Sequence, residues 1–131
     1  MSTILIVEDN DKNMKLARDI LQAKGYATLE AITGEEGVRL AREKLPALIL
    51  MDIQLPGING IEALRQLRAD AATASIPVIA VTASVMPSHR RDITDAGFDG
   101  YVSKPVDVVE LLDTVRRHCD SAGRGGTPDG R

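Results

Sequence analysis

The sequence predicts an α/β fold in which a parallel sheet is sandwiched between helices, and two observations carry that expectation. Short apolar runs of strand length alternate with segments whose apolar residues recur at helical spacing. Several of the runs are continuously apolar, as strands covered on both faces must be. No repeat with a period of 20 to 50 residues competes with this parse. At 131 residues, 44% hydrophobic and 27% charged, the chain suits one domain with one core. A chain of this length buries roughly two thirds of its unfolded surface, so it needs neither disulfide nor structural metal to fold.

The elements follow in order. Thr3–Val7 is the first strand, and Met14, Ala17, Ile20 and Leu21 form the apolar stripe of a helix over Lys12–Lys24. Tyr26–Ala31 is the second strand, followed by a helix with Val38, Ala41 and Leu45 on its inner face. Ala47–Met51 is the third, followed by Ile61, Leu64 and Leu67. Ile76–Val81 is the fourth, and its helix near Pro87–Ala96 is weakly apolar, with only Met86, Ile93 and Ala96, which predicts the most mobile or exposed element. Gly100–Val102 is the short fifth strand. Val108, Leu111, Leu112, Val115 and Cys119 then follow i, i+3, i+4, i+7, i+11, which places Cys119 in the core. Helix starts are marked by Thr33 with Glu36, Asn59 with Glu62 and Asp107 with Glu110, each a capping side chain three residues before a carboxylate. Strands alternating with helices imply right-handed crossovers. The domain spans 2–119; Asp120–Arg131, with four glycines, one proline and no large apolar residue, reads as a disordered tail.

Composition excludes several functions. The formal net charge of −3 gives no basic footprint for DNA, and 2% aromatics are too few for a base-stacking platform. No apolar run approaches the ~20 residues that span a bilayer, and the N-terminus lacks a signal-peptide layout. Lone Cys119 suits a reducing compartment, so a cytoplasmic location is expected. The five β/α units leave no residues for an output domain, so output is expected through another protein. His89 and His118 have no companion ligands at metal spacing and read as solvated helix residues.

Parallel sheets of this kind bind ligands outside the carboxyl ends of their strands. Glu8 and Asp9 follow the first strand, Asp52 ends the third, Thr82 follows the fourth, and Lys104 and Pro105 follow the fifth. Three carboxylates gathered there repel by roughly 4 kcal/mol per pair at 4 Å and an effective dielectric near 20. A hard divalent cation relieves that, and Mg²⁺ prefers one or two carboxylates together with a phosphate oxygen. A hydroxyl and an ammonium beside it complete a cage for a phosphoryl group.

The stretches ILIVEDND, LILMDIQLPGINGIEALRQLR, IPVIAVTAS and YVSKP resemble the receiver domain of two-component response regulators, over residues 3 to 119. VEDNDKNMKL and LMDIQLP resemble most the single-domain DivK-type regulators. The resemblance implies a CheY-like, flavodoxin-like doubly wound sheet in strand order 2-1-3-4-5 with five helices. It implies that Asp52 accepts a phosphoryl group from a phosphohistidine on a sensor histidine kinase or histidine phosphotransfer protein. Asp9, Asp52 and the backbone carbonyl of Gln54 would hold Mg²⁺, with Glu8 acting through water. Lys104 and Thr82 would meet phosphoryl oxygens, and the Lys104–Pro105 bond would be cis. Thr82 and Tyr101 would form the switch, Tyr101 having the blander alternative of packing on the last helix. Gln54 and Ser84 would tune dephosphorylation. Asn13, Met14 and Ala17 would contact the kinase, Met14 and Ala17 having the alternative of simple core residues. The fourth helix, fifth strand and fifth helix would engage a downstream protein, with the chain a monomer or a weak phosphorylation-dependent dimer.

Competing readings differ in chemistry. A phosphatase of the haloacid dehalogenase type also uses a strand-end Asp with Mg²⁺ but wants a second Asp two residues on, where this chain has Gln54. A receiver detached from a hybrid histidine kinase would act only as a relay intermediate. A flavodoxin-like cofactor binder wants a Gly-rich or Ser/Thr-rich loop after the first strand, and that loop is missing here.

Overall fold

The computed structural model describes residues 2–55, 57–83 and 87–124, with the side chains of all but 87–90 and 120–124. Its elements are β1 (Thr3–Val7), α1 (Asp11–Ala23), β2 (Ala27–Ala31), α2 (Gly34–Lys44), β3 (Leu48–Asp52), α3 (Gly60–Ala69), β4 (Val78–Thr82), α4 (Pro87–Ala96), β5 (Gly100–Ser103) and α5 (Val108–Arg124). The five strands pair in parallel in the order β2-β1-β3-β4-β5. The order reverses between β1 and β3, which is where a doubly wound sheet opens its binding crevice.

Strand alternation divides the core into two layers. Leu5 and Val7 of β1, Ile49 and Met51 of β3 and Val78 and Ala80 of β4 face α2, α3 and α4, where they meet Val38, Ala41, Leu64, Leu67 and Ile93. Ile4 and Ile6, Leu48 and Leu50, and Ile79 and Val81 face α1 and α5, where they meet Met14, Ile20, Leu21, Leu111 and Val115. Every residue of β3 and β4 is buried. This explains their unbroken apolar runs: central strands have no solvent face. Each fully buried Leu or Ile there contributes about 1.5–3 kcal/mol of transfer free energy. The edge strand β2 is mostly half-buried, and its sequence ATLEA is accordingly mixed.

The three expected caps are present: the backbone N–H groups of Glu36, Glu62 and Glu110 donate to Thr33 Oγ1, Asn59 Oδ1 and Asp107 Oδ2 at 3.0, 2.9 and 2.8 Å. A fourth, Asn10, accepts from the Asn13 N–H at 3.0 Å and starts α1 one residue earlier than expected. Three apolar residues depart from their expected inward positions. Leu45 is 54% exposed because α2 ends at Lys44 and Leu45 takes the left-handed C-cap conformation (φ 47°), which turns it outward. Ile61 and Val108 open their helices at 40% and 48% exposure, while Ala63 and Leu111 occupy the inner positions instead. Cys119 is buried in the α1/α5 layer, as its spacing predicts.

His118 is not the solvated residue expected. It is half-buried, its Nδ1 lies 2.8 Å from the Thr114 carbonyl, and its Nε2 lies 3.1 Å from the Asp99 carbonyl. Nearby, Arg68 donates to the carbonyls of Ala74, Ile76 and Gly97 and to Asp99 Oδ2, which also accepts from the Val78 N–H at 2.8 Å. These bonds tie α3, α5 and the turns entering β4 and β5 together at the amino ends of the strands, which leaves the carboxyl ends for function. The helix α5 runs on to Arg124, past the expected domain end at 119. Among the described residues, no helix is long and apolar enough to cross a membrane.

Candidate functional site

Strand register gathers the site. Val7 of β1 pairs with Met51 of β3, so the next residues, Glu8 and Asp52, emerge side by side at the carboxyl rim. Asp52 pairs with Val81 of β4, which sets Thr82 one step beyond, and Thr82 in turn pairs with Ser103 of β5, one residue before Lys104. Four strands thus deliver residues that lie nearly a hundred positions apart in sequence. The peptide bond from Lys104 to Pro105 is cis, as the resemblance implies, and the Lys104 N–H donates to the Thr82 carbonyl at 2.8 Å.

Glu8 and Asp52 are 4% and 3% exposed, Asp9 is exposed, and one carboxylate oxygen of each lies within 4.8 Å of the others. Lys104 Nζ stands 3.0 Å from Asp52 Oδ2 and 3.3 Å from Glu8 Oε1. Asp52 Oδ1 accepts from the Gln54 N–H at 3.0 Å, and Glu8 Oε2 accepts from the Asn10 N–H at 3.1 Å. Every oxygen of the two buried carboxylates therefore has a donor or an ammonium nearby, as buried acids require. Burial pushes the Glu8 carboxyl up, and the charge of Asp52 and a hydrogen bond with it push the same way. The Asn10 N–H and the Lys104 charge pull it down without cancelling the rise. Partial burial works against the Lys104 ammonium, but the Asp52 hydrogen bond and the charges of Asp52 and Glu8 outweigh it and raise its pKa.

This donor set suits a small hard cation. All three side chains offer carboxylate oxygens, no soft ligand stands among them, and exposed Asp9 leaves a side open to water and phosphate oxygens. Among the described residues, Lys104 is the one cation that pairs with Glu8 and Asp52, in a site of three acids.

The matching family model is described as "Response regulator receiver domain" and covers residues 4–116. The chain belongs to the receiver family of response regulators. It is 44% identical over 120 residues to the polar-differentiation response regulator DivK of Brucella ovis, covering 92% of this chain and 98% of that one. The DivK of Brucella anthropi matches to the same extent. Among solved structures, the receiver domain of a sensor histidine kinase from Pseudomonas aeruginosa PAO1, with a magnesium ion coordinated in its active-site cleft, superposes with a TM-score of 0.85 at 33% identity, covering 92% of this chain and 98% of that one. A chemotaxis protein, CheY4 of Vibrio cholerae, gives 0.84 at 25% identity, covering 89% and 98%, so the fold of this receiver is CheY-like.

Other expected residues of the receiver fall as follows. Thr82 is 7% exposed at the end of β4 and lines a recess with Ile53, Gln54, Ile61, Ala83, Asp92 and Ile93. Ile61, displaced from the core, is thus part of the wall beside the site. Tyr101 is half-buried and packs on the layer that faces α2, α3 and α4. Asn13 is half-exposed, whereas Met14 and Ala17 are 5% and 6% exposed in the core, so of the three docking residues only Asn13 offers surface. Ser84, Met86, the side chain of His89 and residues 125–131 lie outside the described residues.

Sequence reading missed Asn10, which both caps α1 and holds Glu8; an Asn just before a helical stripe is a capping signal and could have disclosed it. It also missed Gly60. A Cβ there would stand 2.4 Å from the Asp52 carbonyl oxygen, so α3 can approach the end of β3 only through a glycine. No local pattern announces such a contact.

Proposed function

We propose that this receiver takes a phosphoryl group onto Asp52 and turns it into a change of protein-binding surface. The observation that carries this is the convergence of Glu8, Asp9 and Asp52 within 4.8 Å, with Lys104 Nζ 3.0 Å from Asp52. Asp9, Asp52 and the Gln54 backbone carbonyl would hold Mg²⁺, with Glu8 reaching it through water. When bound, Mg²⁺ would neutralise charge on the transferring phosphoryl oxygens.

The residues divide the work. An Asp52 carboxylate oxygen attacks phosphorus, the new P–O bond forms as the P–N bond of the donor phosphohistidine breaks, and the departing imidazole takes up a proton. Lys104 leaves its pairing with free Asp52 for a phosphoryl oxygen, and the Thr82 hydroxyl donates to another. Phosphorylation adds about −1.5 to −2 charge, which draws Thr82 inward and lets Tyr101 follow, re-aiming α4, β5 and α5 toward a downstream protein. Gln54 sets the rate of slow self-hydrolysis, with Ser84 a second candidate for that tuning. The donor is a sensor histidine kinase or a histidine phosphotransfer protein, Asn13 is a candidate docking contact, and the cytoplasm is the compartment. The Pseudomonas neighbour is itself the receiver of a histidine kinase, which supports a relay intermediate as the second reading.

Mixing the protein with a histidine-phosphorylated donor tests this. Label should move to the receiver at no more than one phosphoryl group per chain and not to Asp52→Asn. Labelling of the variant, or many turnovers on a simple phosphoester, would overturn it.

A further inference from the structure

Between Asp52 and α3 the chain has few residues in which to present Gln54, and both ends of that segment are fastened. At the near end the Gly60 N–H donates to the Ile53 carbonyl at 2.9 Å, and the Gly60 Cα faces the Asp52 carbonyl with no room for a Cβ. The far end leans on α2. Glu35 Oε2 accepts from the Ile58 N–H at 3.3 Å, across 23 residues of sequence. Gly57 adopts φ +75°, and a Cβ there would meet both Glu35 carboxylate oxygens at 2.7 Å. Gly34 interlocks with the same segment, since its Cβ would lie 2.7 Å from both Ile58 Cγ1 and the Ile58 carbonyl oxygen.

A glutamate in the first turn of a helix ordinarily complements the helix dipole and caps it. Here Glu36 takes that part: its Oε1 accepts from the Ile32 N–H at 2.9 Å, and its own N–H donates to Thr33. Glu35 turns the other way, onto a different segment. From these contacts we infer that Glu35 is a positioning residue for the phosphoacceptor segment, holding Ile58 so that Gln54 stays fixed against Asp52. The inference rests on the phosphoacceptor reading above for its functional meaning. Gln54 lies between the two anchors, its N–H already on Asp52 Oδ1 and its carbonyl the third protein oxygen offered to Mg²⁺. Releasing the Ile58 anchor leaves the segment free to move, and cation binding must then order it again. Because Glu35 acts through one acceptor oxygen, an amide should replace it.

The test uses the full chain with Glu35→Ala, Glu35→Gln and Gly34→Ala, read by NMR titration with Mg²⁺ and by amide exchange without metal. Glu35→Ala should weaken Mg²⁺ binding about three- to tenfold, the loss of roughly one hydrogen bond. Glu35→Gln should stay within about twofold of the parent on the same scale, and Gly34→Ala should bind more weakly than Glu35→Ala because it displaces Ile58. In the metal-free protein, Glu35→Ala should speed exchange at Ile58 and Gln54 while β5 and α5 are unchanged. Unaltered exchange at both amides, or equal Mg²⁺ affinity of Glu35→Ala and the parent, overturns the inference; so does a Gln variant as weak as the Ala variant. A parent protein that binds no Mg²⁺ overturns the phosphoacceptor reading instead, while the exchange data still decide the role of Glu35.

Discussion

Glu8 sits in a site whose carboxylates oppose one another, and removing its charge should stabilise the metal-free protein. Glu8 meets two like charges with oxygens within 4.8 Å, each costing about 3.5 kcal/mol at that separation and an effective dielectric of 20, against about 5 kcal/mol of attraction to Lys104 at 3.3 Å. The balance is about 2 kcal/mol unfavourable; solvent around exposed Asp9 lowers it and desolvation of Glu8 adds to it. Glu8→Gln keeps the shape and the acceptor oxygen. With a chelator at pH 7, Glu8→Gln should therefore gain about 1–3 kcal/mol, a rise in Tm of roughly 4–12 °C. Because the folded carboxyl titrates above its ordinary value of 4.5, Glu8 favours the folded state when protonated. That contribution is complete below the ordinary value and is lost as pH rises through the raised one. The variant's advantage should accordingly close below about pH 4.5, widen above it and shrink when Mg²⁺ is added. Thermal unfolding from pH 4 to 8 measures all three. A variant less stable than the parent at pH 7 without metal, or an advantage that ignores pH, would refute the reasoning.

Gly60→Ala forces a methyl against the Asp52 carbonyl at 2.4 Å and should cost about 2–3 kcal/mol in chemical denaturation, with altered amide shifts at Ile53 and Gln54. Arg68→Ala removes donors to three carbonyls and Asp99; we expect about 3 kcal/mol lost, with exchange rising first in the turns entering β4 and β5. Asp9→Asn should weaken Mg²⁺ binding at least about tenfold by calorimetry while Tm without metal changes little, since Asp9 is exposed.

The sheet and its strand ends could be read from the sequence because their physics is local. A strand buried on both faces must be apolar up to the end that carries the site, and a helix start needs a capping side chain; β3 before Asp52, β4 before Thr82 and the caps at Thr33, Asn59 and Asp107 follow those rules. The rule that parallel sheets bind at the carboxyl ends of their strands places Glu8, Asp9, Asp52 and Lys104 on one rim from sequence position alone. Spacing failed at helix ends, where an apolar residue has no neighbouring turn to hide it: Leu45, Ile61 and Val108 are exposed for that reason. It also failed for contacts to the backbone of another element or loop. Glu35 on Ile58, Gly60 on Asp52 and Arg68 on the Gly97 carbonyl leave no periodic trace, since they depend on how α2, α3 and the loops are set against one another.

If Asp52 carries the phosphoryl group, the acyl phosphate it forms can be trapped chemically. The protein is incubated with acetyl phosphate and Mg²⁺, reduced with borohydride, digested and sequenced by mass spectrometry. Reduction of a phosphorylated aspartate gives homoserine, which is expected at position 52 alone and only when Mg²⁺ is present. Homoserine at another aspartate, or a stable phosphoryl group on a different residue with Asp52 unchanged, would contradict it.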